Sequence, residues 1–266
     1  MTRGPVDGPP SPIALIPAAG HARRMGAIPS SKEILPVGWS AGGGAGTSEA
    51  GTPLIAYLLD RLVAGGIRRA IVVTRAEKSD IERLLGDGGR FGVALEYLYI
   101  EPTTSSVATL DAAHRLVEGR RVALGYPDIV FRPRDAYAEV LTLHASRGAD
   151  LTLGLFPSRQ PERSDMVELS AAGEVERLVI KQPDRGLRHT WSIAVWEPIF
   201  TAYLHRNLAR APTPSRELYV GDLVQAALDD GLKVAARAFD DGASVDLGTP
   251  AALAAPPDWL EPPPAR

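Results

Sequence analysis

The chain has 266 residues, and its composition of 45% hydrophobic and 23% charged residues is that of a globular protein. A formal net charge of −3 argues against nucleic acid as the main partner, and the lack of cysteine excludes disulfides and thiolate metal sites. No run approaches the ~20 apolar residues of a membrane helix, and no secretory signal opens the sequence. We expect a cytoplasmic protein that binds neither nucleic acid nor membrane.

The first predicted element is a strand that is buried on both faces. Residues 13–16 form a continuous apolar run followed by a glycine turn, which is typical of a central strand in a parallel sheet. The Gly/Ser-rich stretch 39–51 predicts a flexible insertion. Residues 1–11 and 256–266 are Pro-rich and are predicted to be tails, so we expect a single domain over residues 12–255.

Helices and strands alternate over the next hundred residues. Apolar residues at helical spacing predict the helices, and short runs rich in Val, Ile and Leu predict the strands between them. The alternation predicts a Rossmann-like α/β fold with a mixed, mainly parallel sheet flanked by helices. The predicted elements are helix 54–62, strand 70–73, helix 81–85, strand 94–100, helix 108–117, strand 121–124, helix 133–146 and strand 150–156.

The pattern changes in the last third of the chain. Strands 166–169 and 175–180 are separated by the turn Ser170-Ala171-Ala172-Gly173, so we expect an antiparallel hairpin that extends the sheet. The remaining predicted elements are helix 198–210, helix 218–230 and strand 234–239.

The strongest chemical signal directly follows the first strand. Small residues at that point let backbone N–H groups approach phosphates, and a nearby Arg and Lys can neutralise the charge that develops as pyrophosphate leaves. On spacing alone, a surface turn with incidental basic residues is the alternative. The segment reads Pro17-Ala18-Ala19-Gly20-His21-Ala22-Arg23-Arg24-Met25-Gly26 and continues as Ser31-Lys32-Glu33-Ile34-Leu35-Pro36-Val37.

This segment resembles the signature of the sugar-phosphate nucleotidyltransferases of the glucose-1-phosphate thymidylyltransferase type. That signature is Gly-x-Gly-Thr-Arg-Leu followed by Ser-Lys-x-Leu-Leu-Pro-Val, and the resemblance extends from Ile13 to Ala255. Arg24 and Lys32 fall on its basic positions, which implies catalytic roles for both, whereas Ala22 stands where the family has its second Gly. The nucleotide-binding residues that the resemblance implies in this loop are Ala18, Ala19, Gly20 and Arg23.

A second segment is similar to the family's base-reading motif, Gln-Pro-x-x-x-Gly-Leu-Ala. It runs from Glu101 to Ala108, and the resemblance implies that Glu101 and Ser106 lie at the nucleobase. An ionised Glu only accepts hydrogen bonds whereas Gln also donates them, so the choice of base stays open. A simple loop leading into a helix capped by Thr104 or Ser105 is the alternative reading.

Two aspartates are candidate metal ligands. Asp128 follows an apolar strand, at the edge of the sheet where α/β enzymes place their sites, and the resemblance also implies a catalytic role for it. Asp246 opens Asp246-Leu247-Gly248-Thr249-Pro250, which is very similar to the family's Asp-Ile/Leu-Gly-Thr-Pro. Turn formation is the ordinary role of a lone Asp, but a divalent cation would remove the repulsion between two converging carboxylates. Mg²⁺, which prefers oxygen ligands, is the expected cofactor.

The middle of the chain is less similar to the family. Where the family usually has Tyr-Gly-Val-Val-Glu, this sequence reads Asp165-Met166-Val167-Glu168, and the family's Glu-Lys-Pro corresponds to Ile180-Lys181-Gln182-Pro183. Glu168 and Lys181 are the candidates for binding sugar phosphate, and both are equally compatible with solvated strand positions. The resemblance implies a nucleotide-binding half over residues 12–148 and a sugar-phosphate half over residues 149–255.

These observations predict a magnesium-dependent enzyme that joins a nucleoside triphosphate to a sugar 1-phosphate and releases pyrophosphate. The expected substrates are glucose 1-phosphate with dTTP or UTP, and relatives suggest a homo-oligomer. Two alternatives stay open. One is a cytidylyltransferase acting on a non-sugar alcohol phosphate, because Pro-Ala-Ala-Gly-x-x-x-Arg-Met also resembles the loop of such enzymes. The other is a non-catalytic regulatory paralogue that binds a nucleotide sugar.

Overall fold

The computed structural model describes residues 11–40, 51–182, 186–210 and 217–264. Most of the predicted N-terminal tail and of the predicted flexible insertion therefore lies outside the described residues, and so do Pro183 and the last two residues. No helix within the described ranges is long and apolar enough to cross a membrane.

Eleven strands and eight α-helices are found in the described part of the chain. The strands are β1 (Ile13–Pro17), β2 (Arg69–Thr74), β3 (Ala94–Tyr99), β4 (Val122–Gly125), β5 (Ile129–Arg132), β6 (Leu151–Pro157), β7 (Asp165–Leu169), β8 (Val175–Ile180), β9 (His189–Trp196), β10 (Val234–Ala238) and β11 (Ala243–Asp246). The helices are α1 (Leu54–Ala64), α2 (Asp80–Leu85), α3 (Ser106–Asp111), α4 (His114–Val117), α5 (Ala136–Arg147), α6 (Pro198–Arg210), α7 (Val220–Asp229) and α8 (Pro250–Ala254).

Nine of the strands form one mixed sheet. Its main order is β10-β6-β9-β4-β1-β2-β3, and neighbouring strands are parallel except where β9 runs antiparallel between β4 and β6. The predicted hairpin of β7 and β8 is confirmed, and β7 joins the sheet through β9. β5 and β11 form a separate antiparallel pair. The predicted Rossmann-like fold with a mixed, mainly parallel sheet is confirmed.

Burial on both faces explains why the central strand reads as a continuous apolar run. In β1, Ile13 and Leu15 belong to one apolar core, and Ala14 and Ile16 belong to the core on the opposite face. All four are at most 3% exposed. Helices α1, α2 and α5 contribute to the core on the Ala14 side, and α3, α4, α6 and α7 contribute to the core on the Leu15 side.

A third apolar cluster lies under the loop that follows β1. Met25 and Leu35 from that loop pack with Val130 of β5 and with Leu247, which directly follows β11. Trp259 and Leu260, from the stretch predicted to be a Pro-rich tail, pack against the same cluster. This packing holds the loop against the segments that carry Asp128 and Asp246.

Three strands and one helix break differ from the sequence prediction. β5, β9 and β11 were not predicted, because each is defined by pairing with partners distant in the chain. β9, for example, forms bridges to β4 and β6 while carrying polar Thr190 and Ser192 among its apolar residues. The predicted helix 108–117 is two short helices, since the chain tightens between them, where the N–H of Ala113 donates to the carbonyl of Leu110 at 3.1 Å.

Candidate active site

The parallel order of the strands brings the predicted nucleotide-binding segments to one edge of the sheet. β4, β1, β2 and β3 are adjacent and parallel, so the loops that follow them leave from the same edge. These loops span residues 18–37 after β1, 75–79 after β2, 100–105 after β3 and 126–128 after β4.

Arg24 and Asp246 form an exposed ion pair at this edge. Nη1 of Arg24 lies 2.8 Å from Oδ2 of Asp246, and the two side chains are 59% and 44% exposed. Burial lowers the pKa of Arg24, but the hydrogen bond and the charge of Asp246 outweigh it, so the pKa is raised. Asp246 reaches this position because it is the last residue of β11, where it pairs with Ile129 of β5. Ile129 directly follows Asp128 in the sequence, so the pairing brings Asp246 near Asp128.

Lys32 and Asp128 form a second, mostly buried pair beside the first. Nζ of Lys32 donates to Oδ2 of Asp128, and neither side chain is more than 14% exposed. Burial raises the pKa of Asp128, but the ammonium of Lys32 outweighs it, so the pKa lies below its ordinary range. Burial likewise lowers the pKa of Lys32, and Asp128 reverses the effect. Both groups are charged at neutral pH.

The two pairs meet at Gly248. A Cβ on this glycine would lie 2.7 Å from Oδ2 of Asp128, 2.8 Å from Oδ1 of Asp246 and 2.9 Å from Nη2 of Arg24. The N–H of Gly248 also donates to Oδ1 of Asp246 at 2.7 Å. The sequence placed Gly248 only within a motif, whereas the structure shows that a side chain there would clash with three candidate site residues.

The donor set at Gly248 fits a magnesium ion. A carboxylate oxygen of Asp128 and one of Asp246 both lie within 3 Å of the position that a Cβ on Gly248 would take, so the two carboxylates converge on one side of this glycine. Within the described ranges, no group of three or more His, Cys, Asp or Glu forms a complete metal cage. Mg²⁺ does not require one, because it commonly binds through one or two carboxylates with substrate phosphates as further ligands.

The Gly20 loop (residues 18–26) presents backbone donors beside these pairs. No acceptor within the described residues pairs with the N–H groups of Ala19, Gly20 and His21. Ala22 adopts the left-handed backbone conformation (φ 51°, ψ 31°) that favours glycine, and the short 3-10 helix Arg23–Met25 follows it. Ala22 therefore adopts a backbone region that the glycine of the family signature would enter without strain.

Two residues after β2, neither of them predicted as a site residue, support the loop that follows β1 (residues 18–37). Nζ of Lys78 donates to the carbonyls of Ala18 and Gly20 and, at 2.7 Å, to Oε1 of Glu33. Asp80 accepts from both the N–H and the hydroxyl of Ser31, at 2.7 and 2.6 Å. Strand order is the signal that could have identified Lys78 and Asp80. Because β2 is the parallel neighbour of β1, residues that follow β2 lie beside the loop that follows β1.

Comparisons with known proteins identify the family to which the chain belongs. A family model described as Nucleotidyl transferase matches residues 47–256, which is most of the chain. The chain belongs to the nucleotidyl transferase family. A curated relative, the glucose-1-phosphate thymidylyltransferase of Neisseria gonorrhoeae, is 27% identical over 252 residues, which cover 90% of this chain and 79% of the relative.

Solved structures share the nucleotidyl transferase fold with this chain. A structure from Bacillus anthracis, assigned as a glucose-1-phosphate thymidylyltransferase, has a TM-score of 0.76 at 19% identity, covering 94% of this chain and 98% of that one. A UDP-glucose pyrophosphorylase from Acinetobacter baumannii has a TM-score of 0.72 at 17% identity, covering 91% and 90%. At this level of identity, both comparisons establish the fold alone.

In this member of the family, the predicted base-reading segment is a capped helix start. Oγ of Ser105 accepts from the N–H of Ala108 at 3.1 Å, so Ser105 is the N-cap of α3. Thr104 is exposed and makes no hydrogen bond through its side chain within the described residues. Glu101 is also exposed, and Ser106 is the first residue of α3. Of the two caps that the alternative reading offered, Thr104 and Ser105, the structure shows Ser105.

The two predicted sugar-phosphate residues have contacts of their own, outside the two charged pairs. Nε of Arg177 donates to Glu168 across the β7–β8 hairpin, so this carboxylate already has a partner. Lys181 follows β8 with a left-handed backbone (φ 45°), and its Nζ lies 3.3 Å from the centroid of the Tyr219 ring. Among the described residues, neither Glu168 nor Lys181 is hydrogen-bonded to the charged pairs at Gly248.

Proposed function

We propose that this chain is a magnesium-dependent nucleotidyltransferase that joins a nucleoside triphosphate to a sugar 1-phosphate and releases pyrophosphate. The observation that carries the proposal is the convergence of Arg24, Lys32, Asp128 and Asp246 beside the Gly20 loop. We further propose glucose 1-phosphate as the acceptor and dTTP or UTP as the donor. Support comes from the names of the relatives, a glucose-1-phosphate thymidylyltransferase and a UDP-glucose pyrophosphorylase.

The two basic residues have different roles in this proposal. A phosphate oxygen of the acceptor attacks the α-phosphorus in line as pyrophosphate leaves, and negative charge increases on the leaving group. Arg24 is the more exposed cation, so its guanidinium can turn from Asp246 to a phosphate oxygen. Lys32 is buried and holds the carboxylate of Asp128 in place. When bound, Mg²⁺ would neutralise charge on the phosphates, with Asp128 and Asp246 as its protein ligands.

The backbone of the Gly20 loop supplies the triphosphate contacts in this proposal. The N–H groups of Ala19, Gly20 and His21 have no acceptor in the described chain, and phosphate oxygens would satisfy them. Arg23 is exposed one residue before Arg24 and adds positive charge. On the acceptor side we propose Lys181 for the sugar phosphate, since Glu168 is already engaged by Arg177.

The first test is pyrophosphate release with Mg²⁺, measured for all common nucleoside triphosphates crossed with a panel of sugar 1-phosphates and non-sugar alcohol phosphates. Release that requires both a triphosphate and a sugar 1-phosphate is expected. Asp246→Asn is expected to lower turnover by about 100-fold or more, because a ligand and the partner of Arg24 are lost together. Asp240→Asn is the matched control, since Asp240 is an exposed carboxylate paired with His189, outside the cluster.

Each contrary result points to a specific alternative. Release with CTP and a non-sugar alcohol phosphate alone would replace the sugar acceptor in the proposal. A folded protein that binds nucleotide but releases no pyrophosphate across the panel would favour a regulatory paralogue. Full turnover in Asp246→Asn would exclude Asp246 as a metal ligand.

A further inference from the structure

Lys78 is a buried lysine whose hydrogen bonds go to the Gly20 loop rather than to a substrate-facing surface. It is 6% exposed, and its Nζ donates to the carbonyl oxygens of Ala18 and Gly20, the latter at 3.3 Å. Its third partner is Oε1 of Glu33, which is fully buried. A buried ammonium with three acceptors is fully satisfied, so this arrangement fixes the loop from beneath.

Because Lys78 holds the carbonyls of Ala18 and Gly20, it also fixes the direction of the N–H groups in the same peptide units. The C=O and N–H of a trans peptide point in opposite directions, and the peptide bonds of this loop are trans. The carbonyl of Ala18 shares its peptide unit with the N–H of Ala19, and the carbonyl of Gly20 shares its unit with the N–H of His21. Since both carbonyls point to the buried Lys78, both N–H groups point away from it, toward the side on which Gly20 and His21 are exposed.

We propose that Lys78 is a positioning residue for the nucleoside triphosphate. By holding the carbonyls of Ala18 and Gly20, it directs the N–H groups of Ala19 and His21 toward the phosphate oxygens. Glu33 keeps the ammonium in this position and is the sequence neighbour of Lys32, so the same pair also supports the residue that holds Asp128. This inference rests on the proposed function, because it presupposes that a triphosphate binds at the Gly20 loop.

A purely structural ion pair is the competing explanation, and the two explanations differ in what a neutral pair would restore. Losing one partner of a buried pair leaves an uncompensated charge, whereas losing both removes that penalty. If Lys78 only balances Glu33, a neutral pair of similar volume restores both stability and nucleotide binding. If Lys78 orients the loop, the neutral pair restores stability alone, because methionine cannot donate to a carbonyl.

The experiment compares Lys78→Met, Glu33→Gln and the double variant Glu33→Gln/Lys78→Met with wild type. Lys233→Met is the matched control, since Lys233 is an exposed lysine directly before β10. Three quantities are measured: the free energy of unfolding by denaturant, the Kd of the triphosphate with Mg²⁺ and no acceptor, and the KM of each substrate. The Kd comes from displacement of a fluorescent nucleotide, so this measurement does not depend on turnover.

We expect Lys78→Met to weaken binding of the triphosphate but not of the sugar 1-phosphate, and the double variant to recover stability but not triphosphate binding. Lys78→Met raises the Kd and KM for the triphosphate by about tenfold, because two charge-assisted hydrogen bonds to the loop are lost. The KM for sugar 1-phosphate changes by less than about twofold, since the acceptor does not contact the loop in the proposed arrangement. The double variant recovers the unfolding free energy but keeps the tenfold defect in triphosphate binding, and Lys233→Met behaves as wild type.

Two results would overturn the inference. One is a double variant that recovers triphosphate binding together with stability, and the other is a folded Lys78→Met protein with wild-type Kd. If Lys78→Met does not fold, the double variant carries the test. A wild-type protein that binds no triphosphate would refute the proposed function itself. An active wild type whose double variant binds triphosphate normally would refute only the role of Lys78.

Discussion

At the scale of single residues, Gly248 is the most sensitive position in the candidate site. An added methyl group would lie within 3 Å of atoms of Asp128, Asp246 and Arg24, so at least one of them must move. We expect Gly248→Ala to lower kcat by about 100-fold, since displacement of catalytic groups by about 1 Å has effects of this size. Steady-state pyrophosphate release measures it.

The control for Gly248→Ala is a similar clash placed far from the site. A Cβ on Gly65, which follows α1, would lie 2.4 Å from Cβ of Tyr137. Gly65→Ala should lower the free energy of unfolding by about 1–3 kcal/mol and leave the KM values unchanged. Wild-type turnover in Gly248→Ala would show that the residues around Gly248 are not the reacting centre.

His144 makes a separate prediction about pH. Its ring is 1% exposed and bonds Thr152 at 2.9 Å and Glu197 at 3.1 Å. Burial lowers the pKa of His144, although Glu197 opposes this effect. The unfolded state therefore binds more protons than the folded state, and the stability contributed by neutral His144 is present above its ordinary pKa and lost as pH falls through the lowered one.

The measurement is the free energy of unfolding between pH 5.5 and pH 7.5 for wild type and His144→Gln. Wild type should lose more stability than the variant as pH falls, because glutamine carries no titrating group. The comparison is made as the difference between the two proteins, so that contributions common to both cancel. Parallel pH profiles for the two proteins would contradict the prediction.

At the scale of elements, the start of α3 separates a structural role from a functional one. Ser105 accepts from the N–H of Ala108, so Ser105→Ala should lower the free energy of unfolding by about 1 kcal/mol. Denaturant unfolding measures this change, and Thr104→Ala is the neighbouring control that removes an exposed hydroxyl. An equal loss in both variants would mean that the cap does not stabilise α3.

The elements also show how far local patterns extend. β1 and the β7–β8 hairpin were predicted because their signals are local: an apolar run before a glycine, and two apolar runs around a turn. β9 was not predicted because its position in the sheet is decided by β4 and β6, which precede it by dozens of residues. The tighter turn that divides α3 from α4, in which the N–H of Ala113 donates to the carbonyl of Leu110, likewise has no recognisable signal in a sequence with a helical pattern.

At the scale of the whole molecule, strand order creates the candidate site. Arg24 and Lys32 come from the loop after β1, Asp128 follows β4, and Asp246 ends β11. These segments meet because β1 and β4 are parallel neighbours and because β11 pairs with β5 immediately after Asp128. The third apolar cluster, under the loop, then holds the segments in contact.

The sequence by itself determined the class of fold, the Gly20 loop and the Asp246-Leu247-Gly248-Thr249-Pro250 segment, because periodicity and contiguous motifs record which face is buried and where small residues are required. Only the tertiary structure decided that Lys78 supports the loop and that Gly248 lies against both charged pairs. Lys78 and Ala18 are 60 residues apart in the chain. Contacts of this kind depend on which strands are neighbours, and strand order is settled by long-range pairing rather than by local pattern.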